Sequence, residues 1–192
     1  MNEISGNKET LINTALNLFS ARGYDAVGVQ EIAEKAGVTK PTLYHYFGSK
    51  HGLLDFILDT CFNQLFENLT PAAGYAGDLP LTLTRTAEVY FRFAEKHPRF
   101  YRMQIAMWFS GPESESHQAL TKYILQQHKV FEQVFMPASD DHGNMKGRHQ
   151  AYSATFLGML NTYIGMYLNG YILLDDEIMY RAVHQYMHGI FS

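Results

Sequence analysis

The sequence predicts an all-α protein of about nine helices. Apolar residues recur every three or four positions along most of the chain, which is the spacing of one face of a helix. No stretch shows the alternation of apolar and polar residues that a half-buried strand requires. With 192 residues, of which 46% are hydrophobic, the chain can bury a core and fits one large domain or two smaller ones.

The first three helices are predicted from their caps and breakers. Asn7 is suited to cap the first helix, and Gly23 to end it. A short second helix covers about 28–35, and residues 36–38, AGV, form a tight turn. Thr39 can cap the third helix, because Pro41 then falls in the first turn, where a missing N–H costs nothing.

The remaining helices are longer and more apolar. Ser49 can cap a fourth helix over about 50–69, whose wide apolar face indicates packing on more than one side. Residues 70–80, TPAAGYAGDLP, are predicted as a linker and residues 137–147, PASDDHGNMKG, as a loop. Further helices are expected at about 80–96, 98–110, 113–136, 148–173 and 175–190.

Composition limits the functions that the chain can have. A net charge of −4 argues against a general binder of polyanions, although the placement of charge matters more than its sum. The single cysteine, Cys61, allows no intrachain disulfide and suits a reducing compartment, so we expect a cytoplasmic protein. Residues 149–174 contain no Lys, Arg, Asp or Glu, but their polar residues are spread around the helix, which favours a helix buried in protein over a membrane span.

The segment 37–54, GVTKPTLYHYFGSKHGLL, contains two lysines and no acid in an otherwise acidic chain. Two short helices joined by a three-residue turn with a glycine form a helix-turn-helix. On the third helix, Leu43 and Phe47 point inward. The other face carries Lys40, Pro41, Tyr44 and His45, with Thr39 and Thr42 at its edges.

This face has the chemistry of a DNA-reading surface. A helix this narrow fits the major groove, which is about 12 Å wide, where lysine donates to guanine and threonine or proline meets a thymine methyl. Tyrosine and threonine hydroxyls can bond phosphates, and Lys50 lies at a helix N-terminus, which also favours anions. A carboxylate here would repel phosphate. Short helical hairpins also occur in proteins that bind no DNA, and the pattern alone leaves that alternative open.

Residues 11–54 resemble the N-terminal domain of TetR-family transcriptional regulators. The matching stretches are ALNLFSARGY, IAEKAGV and TLYHYFGSK, and the segment 11–54 that contains them covers about a quarter of the chain. The rest resembles the family only in helix count and spacing, including the EKHPRFYRM turn into the sixth helix. The resemblance implies a helix-turn-helix DNA-binding domain over residues 1–52 and a helical domain for ligand binding and dimerisation over residues 53–192.

The resemblance also implies a homodimer on a palindromic double-stranded operator, released by a small-molecule effector. The base-facing positions of the family correspond to Lys40, Pro41, Thr42 and Tyr44, and its phosphate-facing positions to Thr39, His45, Tyr46 and Lys50. Two departures stand out. The family usually has Thr or Ser at the start of the second helix, where this chain has Val27 and Gly28, so a weaker cap is expected. Acids often follow the SK pair, where this chain has His51 and Gly52.

The C-terminal region contains most of the aromatic and methionine side chains. Each of them taken alone is most simply a core residue, since buried aromatics usually just pack. Together they suit an adaptable apolar pocket with a few polar groups, which favours a largely apolar effector. The candidate effector residues are Tyr90, Met103, Met107, Trp108, Tyr123, Gln127, Phe131 and Phe156.

The last two helices are predicted to form a dimer interface. Small residues on the uncharged eighth helix would allow close approach, and the ninth helix has a broad apolar face. Burial within one monomer is the alternative. The interface residues named on this basis are Ala154, Gly158, Gly165, Ile178, Ala182 and Tyr186.

Other chemistry is sparse. His184 and His188 have the i, i+4 spacing of a metal-binding pair, but no third ligand is evident, so we predict neither metal nor cofactor. No catalytic motif is present, and no enzyme is expected. The leading hypothesis is therefore a ligand-responsive DNA-binding regulator, most simply a repressor. The alternative is a helical ligand- or protein-binding protein of the same fold that does not read DNA.

Overall fold

The structure, a computed structural model, describes residues 2–189, and for residues 2–5 and 144 it describes the backbone alone. Over this range it contains nine α-helices, one short 3-10 helix at Gly143–Met145 and no strand, which confirms the predicted all-α class. The helices are α1 (Asn2–Arg22), α2 (Val29–Lys35), α3 (Lys40–Phe47), α4 (Lys50–Ala72), α5 (Leu79–Lys96), α6 (Pro98–Trp108), α7 (Glu115–Asp141), α8 (His149–Leu168) and α9 (Asp176–His188).

Spatial contacts divide the chain into two units. The first contains the residues up to Asn63 together with Arg99–Lys122, and the second contains Gln64–Pro98 and the residues from Tyr123 onwards. Helices α4 and α7 each contribute residues to both units. The functional division after residue 52 stays a prediction.

In the first unit, helices α1, α2 and α3 contact one another around a small apolar core. Leu11, Ala15 and Phe19 of α1, Ile32 of α2 and Leu43 of α3 are all buried. The turn from α2 to α3 passes through Gly37, whose φ of +69° is a left-handed conformation that a glycine adopts without steric cost. These three helices are the predicted helix-turn-helix, and together with the start of α4 they form what we call the reading head, residues 11–54.

Helix α4 begins in close contact with the end of α3. The Ser49 hydroxyl accepts a hydrogen bond from the Gly52 N–H at 2.9 Å, as its predicted capping role requires. A Cβ atom on Gly52 would lie 2.0 Å from the backbone oxygen of Phe47. Glycine at position 52, one of the two departures from the usual pattern, therefore allows the backbones of α3 and α4 to approach.

The second unit is built around α5. Asp78 caps this helix by accepting a hydrogen bond from the Leu81 N–H at 2.9 Å. Helix α5 contacts both α8 and α9. Its buried face includes Leu83, Ala87 and Tyr90, so an apolar stripe at helical spacing positions α5 against the other helices.

Several predicted boundaries were wrong. Helix α1 already includes Asn7, and α7 continues through Pro137 to Asp141, within the segment predicted as a loop. Phe135 and Ala138 on either side of this proline are buried, and their packing outweighs the lost N–H. Helix α8 ends at Leu168 rather than residue 173, because the chain turns at Gly170, whose φ is +76°. The Gly170 N–H donates to the Tyr167 carbonyl, and the Tyr171 N–H donates to the Met166 carbonyl. The predicted end of α9, residue 190, lies outside the described residues.

Among the helices described, none is long and apolar enough to cross a membrane. Helix α8 contains no charged side chain after His149, but it exposes residues on one face and buries Phe156, Leu160 and Ile164 on the other.

Candidate nucleic-acid interface and effector region

Helix α3 presents the two faces that its sequence predicts. Leu43 is fully buried. Lys40, Pro41, Tyr44 and His45 are exposed, and the Tyr44 side chain keeps 46% of its surface accessible. Lys40 forms no ion pair with any residue that the structure describes. The outer face of α3 therefore exposes one ammonium group, one phenol and one imidazole that can form hydrogen bonds with a polar partner.

The two threonines at the start of α3 are paired with each other. Thr39 occupies the N-cap position, but its side chain bonds no backbone N–H. Its hydroxyl lies 2.9 Å from the hydroxyl of Thr42 instead. One of the two hydroxyls uses its proton in this bond, so the other still has a proton to donate to a phosphate or a base edge, and both keep acceptor sites.

Aromatic rings brace the far end of α3. The Tyr46 ring makes an edge contact with His45, with centroids 5.3 Å apart. Phe47 packs edge-on against Phe56 of α4 at 5.6 Å, and the Lys8 ammonium lies 4.1 Å from the Phe56 centroid. Phe47 is half-buried, in line with its predicted inward position. Tyr46 is also half-buried, and its role at phosphate stays a prediction.

Helix α2 starts without a capping side chain. Gly28 is the N-cap residue and makes no side-chain cap bond, as the sequence predicts. Val27 is 1% exposed and packs into the head. The family's usual hydroxyl is thus replaced by an apolar contact, at a cost of a few tenths of a kcal/mol for a glycine cap.

Lys50 has an intramolecular role that sequence reasoning missed. Its ammonium donates hydrogen bonds to the backbone oxygens of Tyr24 and Val27, both at 3.2 Å. It also lies 3.9 Å from the centroid of the Tyr24 ring, a cation–π distance. The side chain therefore reaches into the α1–α2 turn. Its contact with phosphate stays a prediction, and the carbonyls of the α1–α2 turn compete with phosphate for the same ammonium.

The other basic side chains of the head are neutralised locally. Arg22 pairs with Glu31 at 2.6 Å, and Lys35 pairs with the same carboxylate at 3.3 Å. Lys40 is thus the cation that the outer face of α3 supplies, while hydroxyl and imidazole groups make up the rest of that face.

Five of the predicted effector residues come together in the second unit. The Tyr90 hydroxyl donates to Gln127 Oε1 at 2.9 Å, and the Gln127 amide donates to the Tyr123 carbonyl at 3.3 Å. Phe131 lies between Tyr90 and Phe156, with centroid distances of 5.8 and 5.2 Å. We call these five residues the aromatic cluster. Tyr90 and Gln127 are almost completely buried, so it combines apolar rings with a buried polar pair.

The other three predicted effector residues belong to α6 in the first unit. Met103 and Met107 are buried there, and Trp108 is 37% exposed and stacked on His117 at 5.4 Å. The same helix contains Gln104, which is 3% exposed and whose Oε1 atom has no hydrogen-bond partner within the described part of the chain. In the sequence, Gln104 is a single amide among the apolar residues of α6, and this position could have indicated a buried hydrogen-bond acceptor.

A cavity of about 480 Å³ adjoins the aromatic cluster in the second unit. Phe135 and Tyr186 on its wall contact Phe156, with centroids 6.5 and 4.9 Å apart. Its volume lies in the range of sites for small molecules. Sequence reasoning missed it as a site, because the wall is assembled from residues distant in sequence: Leu79, Phe135, His142, Met145, Tyr152, Thr155, Tyr186 and Met187.

The predicted dimer residues divide by exposure. Ala154 and Gly158 are exposed, and a Cβ on Gly158 or Gly165 would meet nothing within 4 Å. Gly165 and Ile178 are half-buried. Ala182 is buried, and the half-buried Tyr186 donates to the Tyr152 carbonyl at 2.8 Å, so both contribute to packing inside the monomer.

His184 and His188 are exposed on α9, with ring centroids 4.4 Å apart. Within the described residues, no group of three or more His, Cys, Asp or Glu side chains could hold a metal ion. Cys61 is half-buried, and burial raises the pKa of its thiol to about 11, so it stays protonated.

A helix-turn-helix head with an exposed, acid-free third helix, followed by a larger helical region, defines the helix-turn-helix class of transcriptional regulators. Residues 11–56 match the family model described as bacterial regulatory proteins, tetR family. This segment is therefore the helix-turn-helix domain of the tetR family, and the chain as a whole is similar to TetR-family transcriptional regulators.

Similar proteins agree with this assignment. The chain is 30% identical over 173 residues to the uncharacterized HTH-type transcriptional regulator YuxN of Bacillus subtilis, covering 89% of this chain and 57% of that one. It is 36% identical over 93 residues to the HTH-type transcriptional activator FasR of Mycolicibacterium smegmatis, covering 48% and 42%. The chain thus spans about half the length of these relatives. The fold matches FadR of Bacillus subtilis, solved in complex with stearoyl-CoA, with a TM-score of 0.76, 16% identity and coverage of 95% and 98%.

Proposed function

We propose that the protein binds a palindromic operator as a homodimer, represses transcription and is released by a small, largely apolar effector. The observation that carries this proposal is the outer face of α3, where Lys40, Pro41, Tyr44 and His45 are exposed together without an acid. A helix with this face can enter the major groove, with Lys40 and Tyr44 at base edges and Thr39 and His45 at phosphates. A cytoplasmic location is part of the same proposal.

The experiment that tests DNA reading uses the DNA upstream of the protein's own gene. Overlapping fragments compete with random DNA in gel-shift titrations at fixed salt, since affinities without a salt concentration cannot be compared. We expect one fragment to bind at least about a thousandfold more tightly than random DNA. Equal affinity for every fragment would favour the alternative, a protein of this fold that acts through ligand or protein contacts. The missing hydroxyl at Val27 and the engaged ammonium of Lys50 keep that alternative open.

Dimerisation is supported by apolar and small side chains that one monomer leaves uncovered. Helix α8 exposes Ala154, Gly158 and Met166, and the segment after it exposes Tyr171 and Leu173. Contact between two copies would cover these residues and form a four-helix bundle. Sedimentation at micromolar concentration should give about twice 21.9 kDa. A Gly158→Leu variant should dissociate more readily, because its side chain meets nothing inside the monomer and would hold the copies apart.

An effector with an apolar body is supported by the aromatic cluster and by the cavity beside it. The rings of Phe131 and Phe156 offer apolar surface, and Tyr90 and Gln127 offer one buried polar pair. The fold is shared with FadR, which was solved with stearoyl-CoA. We propose an acyl chain as the apolar part of the effector. Calorimetry with stearoyl-CoA, and with shorter acyl-CoA esters as a series, tests this, and equal heats from coenzyme A alone would contradict it.

The sign of regulation needs a separate measurement, since the similar protein FasR is named an activator. A reporter gene placed behind the bound fragment should be expressed more strongly when the regulator is deleted. Lower expression on deletion would make this protein an activator and leave DNA reading intact.

A further inference from the structure

One carboxylate joins the first turn of α7 to two parts of the DNA-binding region. Glu115 Oε2 accepts a hydrogen bond from the Tyr24 hydroxyl at 2.7 Å. Glu115 Oε1 lies 3.1 Å from Nδ1 of His51, the second residue of α4. Tyr24 is in the turn between α1 and α2 and stands 91 residues from Glu115 in sequence. We call Tyr24, His51 and Glu115 the latch.

Burial and ring packing hold the Tyr24 side chain in place, so its hydroxyl has a fixed position relative to Glu115. Its side chain is 2% exposed, and its ring packs on Phe19 with centroids 5.1 Å apart. The Lys50 ammonium covers the ring and bonds the Tyr24 carbonyl. Burial, and after it the hydrogen bond to Glu115, raise the pKa of the Tyr24 hydroxyl far above its usual value. The hydroxyl is therefore a permanent donor, and Glu115 is the acceptor that it meets.

His51 lies between two carboxylates. Its Nε2 atom is 3.3 Å from Oδ2 of Asp55, one turn further along α4. Its Nδ1 atom is within ion-pair distance of Glu115 but lacks hydrogen-bond geometry. A small displacement of Glu115 would therefore change this second contact, while the short bond to Tyr24 fixes the carboxylate in place.

We propose that Glu115 is a positioning residue, which sets the angle of the reading head by fixing the α1–α2 turn and the start of α4 to α7. A movement of α7 would then change the orientation of α3. The consequence for DNA rests on the proposed function, and the positioning itself does not. Helix α7 also contains three of the predicted effector residues, Tyr123, Gln127 and Phe131.

The test measures the head's position directly in the full-length protein. Spin labels are attached at the exposed positions Ala21→Cys on α1 and Gln118→Cys on α7, in a Cys61→Ala background, and dipolar spectroscopy gives their distance distribution. Glu115→Ala removes both contacts, Tyr24→Phe removes the hydroxyl alone, and Glu115→Gln keeps an acceptor but loses the charge. Glu113→Ala, an exposed acid two residues earlier, is the matched control.

We expect Glu115→Ala and Tyr24→Phe to broaden the distribution or shift its mean by more than about 2 Å, the scale of a hinge-like rearrangement. Glu115→Gln should stay closer to the parent protein, and Glu113→Ala should match it. A purely structural role would lower the melting temperature and leave the distance in the folded protein unchanged. An unchanged distribution in folded Tyr24→Phe would overturn the proposal even if Glu115→Ala failed to fold.

A second measurement separates the latch from DNA reading. If the parent protein prefers one upstream fragment, Glu115→Ala should change that affinity about tenfold, within the range of allosteric couplings. If Glu115→Ala bound the fragment as tightly as the parent protein although its spin-label distance had changed, the position of the head would not control DNA affinity, and that part of the proposal would be overturned. If the parent protein prefers no fragment, the proposed function fails, and the spin-label distances still decide whether Glu115 positions the head.

Discussion

The reading head and the aromatic cluster use their residues in different ways. In the head, single atoms decide the geometry: Gly52 has no space for a Cβ beside the Phe47 carbonyl, and Lys50 bonds two named carbonyls. In the cluster, the rings of Phe131 and Phe156 share a packed interior in which a similar ring could replace either of them. A short motif therefore identifies the head, whereas the cluster is recognised only by its collective composition.

The largest expected effect concerns the cluster. Phe156 is fully buried against Phe131 and Tyr186, so Phe156→Ala should lower the free energy of unfolding by about 3–5 kcal/mol. Urea titration followed by circular dichroism measures this. Phe109→Ala removes a ring that is 81% exposed and should change the same quantity by less than about 0.5 kcal/mol. Equal effects would mean that Phe156 is not part of a packed core.

Gly52 tests whether single atoms decide the geometry of the head. A Gly52→Ala variant should lose about 1–3 kcal/mol of stability, because its new Cβ collides with a backbone atom that cannot rotate away. Thermal unfolding gives the comparison. Gly28→Ala is the matched control, since its Cβ would have open space and it loses only the preference of an N-cap for glycine over alanine, about 0.5–1 kcal/mol. A stable Gly52→Ala protein would remove the proposed reason for glycine at this position.

Lys40 and Tyr44 test whether the outer face of α3 reads bases. Lys40→Ala and Tyr44→Ala should each weaken operator binding by about 1–3 kcal/mol and random-DNA binding much less. Both side chains are exposed, so folding should be unaffected. Gel-shift titrations against both DNAs measure the difference. If folded dimers of both variants kept the parent affinities, α3 would not be the reader and the alternative function would stand.

Lys50 gives the smallest expected effect. Its two carbonyl contacts predict that Lys50→Ala lowers stability by about 1 kcal/mol, the typical net value of a hydrogen bond. The sequence alone predicts instead that this variant loses one phosphate contact, so that the slope of log affinity against log salt concentration becomes shallower by about one unit. Affinity measured at several salt concentrations separates the two roles. An unchanged stability together with a shallower salt slope would mean that Lys50 contacts a DNA phosphate and that its carbonyl contacts contribute little to stability.

The sequence predicts the features that depend on neighbours along a helix. The opposite faces of Leu43 and Tyr44 follow from helical spacing, and the position of the Ser49 cap follows from local chemistry. Lys50 could not be placed in this way, because its partners Tyr24 and Val27 stand more than twenty residues away.

The same limit applies to the effector region. Spacing shows that Met103 of α6 is buried but not which helices bury it, so the predicted set combined residues of two units. Pro137 shows the opposite error, in which a local breaker was given more weight than the packing of Phe135 and Ala138 around it.

The buried bond between Tyr90 and Gln127 has a consequence for selectivity. A guest molecule that separates these two side chains leaves a hydroxyl and an amide in an apolar interior, at a cost of about 1–3 kcal/mol for each unpaired group. A plain hydrocarbon offers no hydrogen bond to these two groups, whereas a molecule with a carbonyl or hydroxyl beside its chain can bond them and offset the cost. In the proposed effector site, an apolar molecule of the right size that lacks a carbonyl or hydroxyl group would therefore bind more weakly, as sites built for a hydrogen bond reject analogues without it.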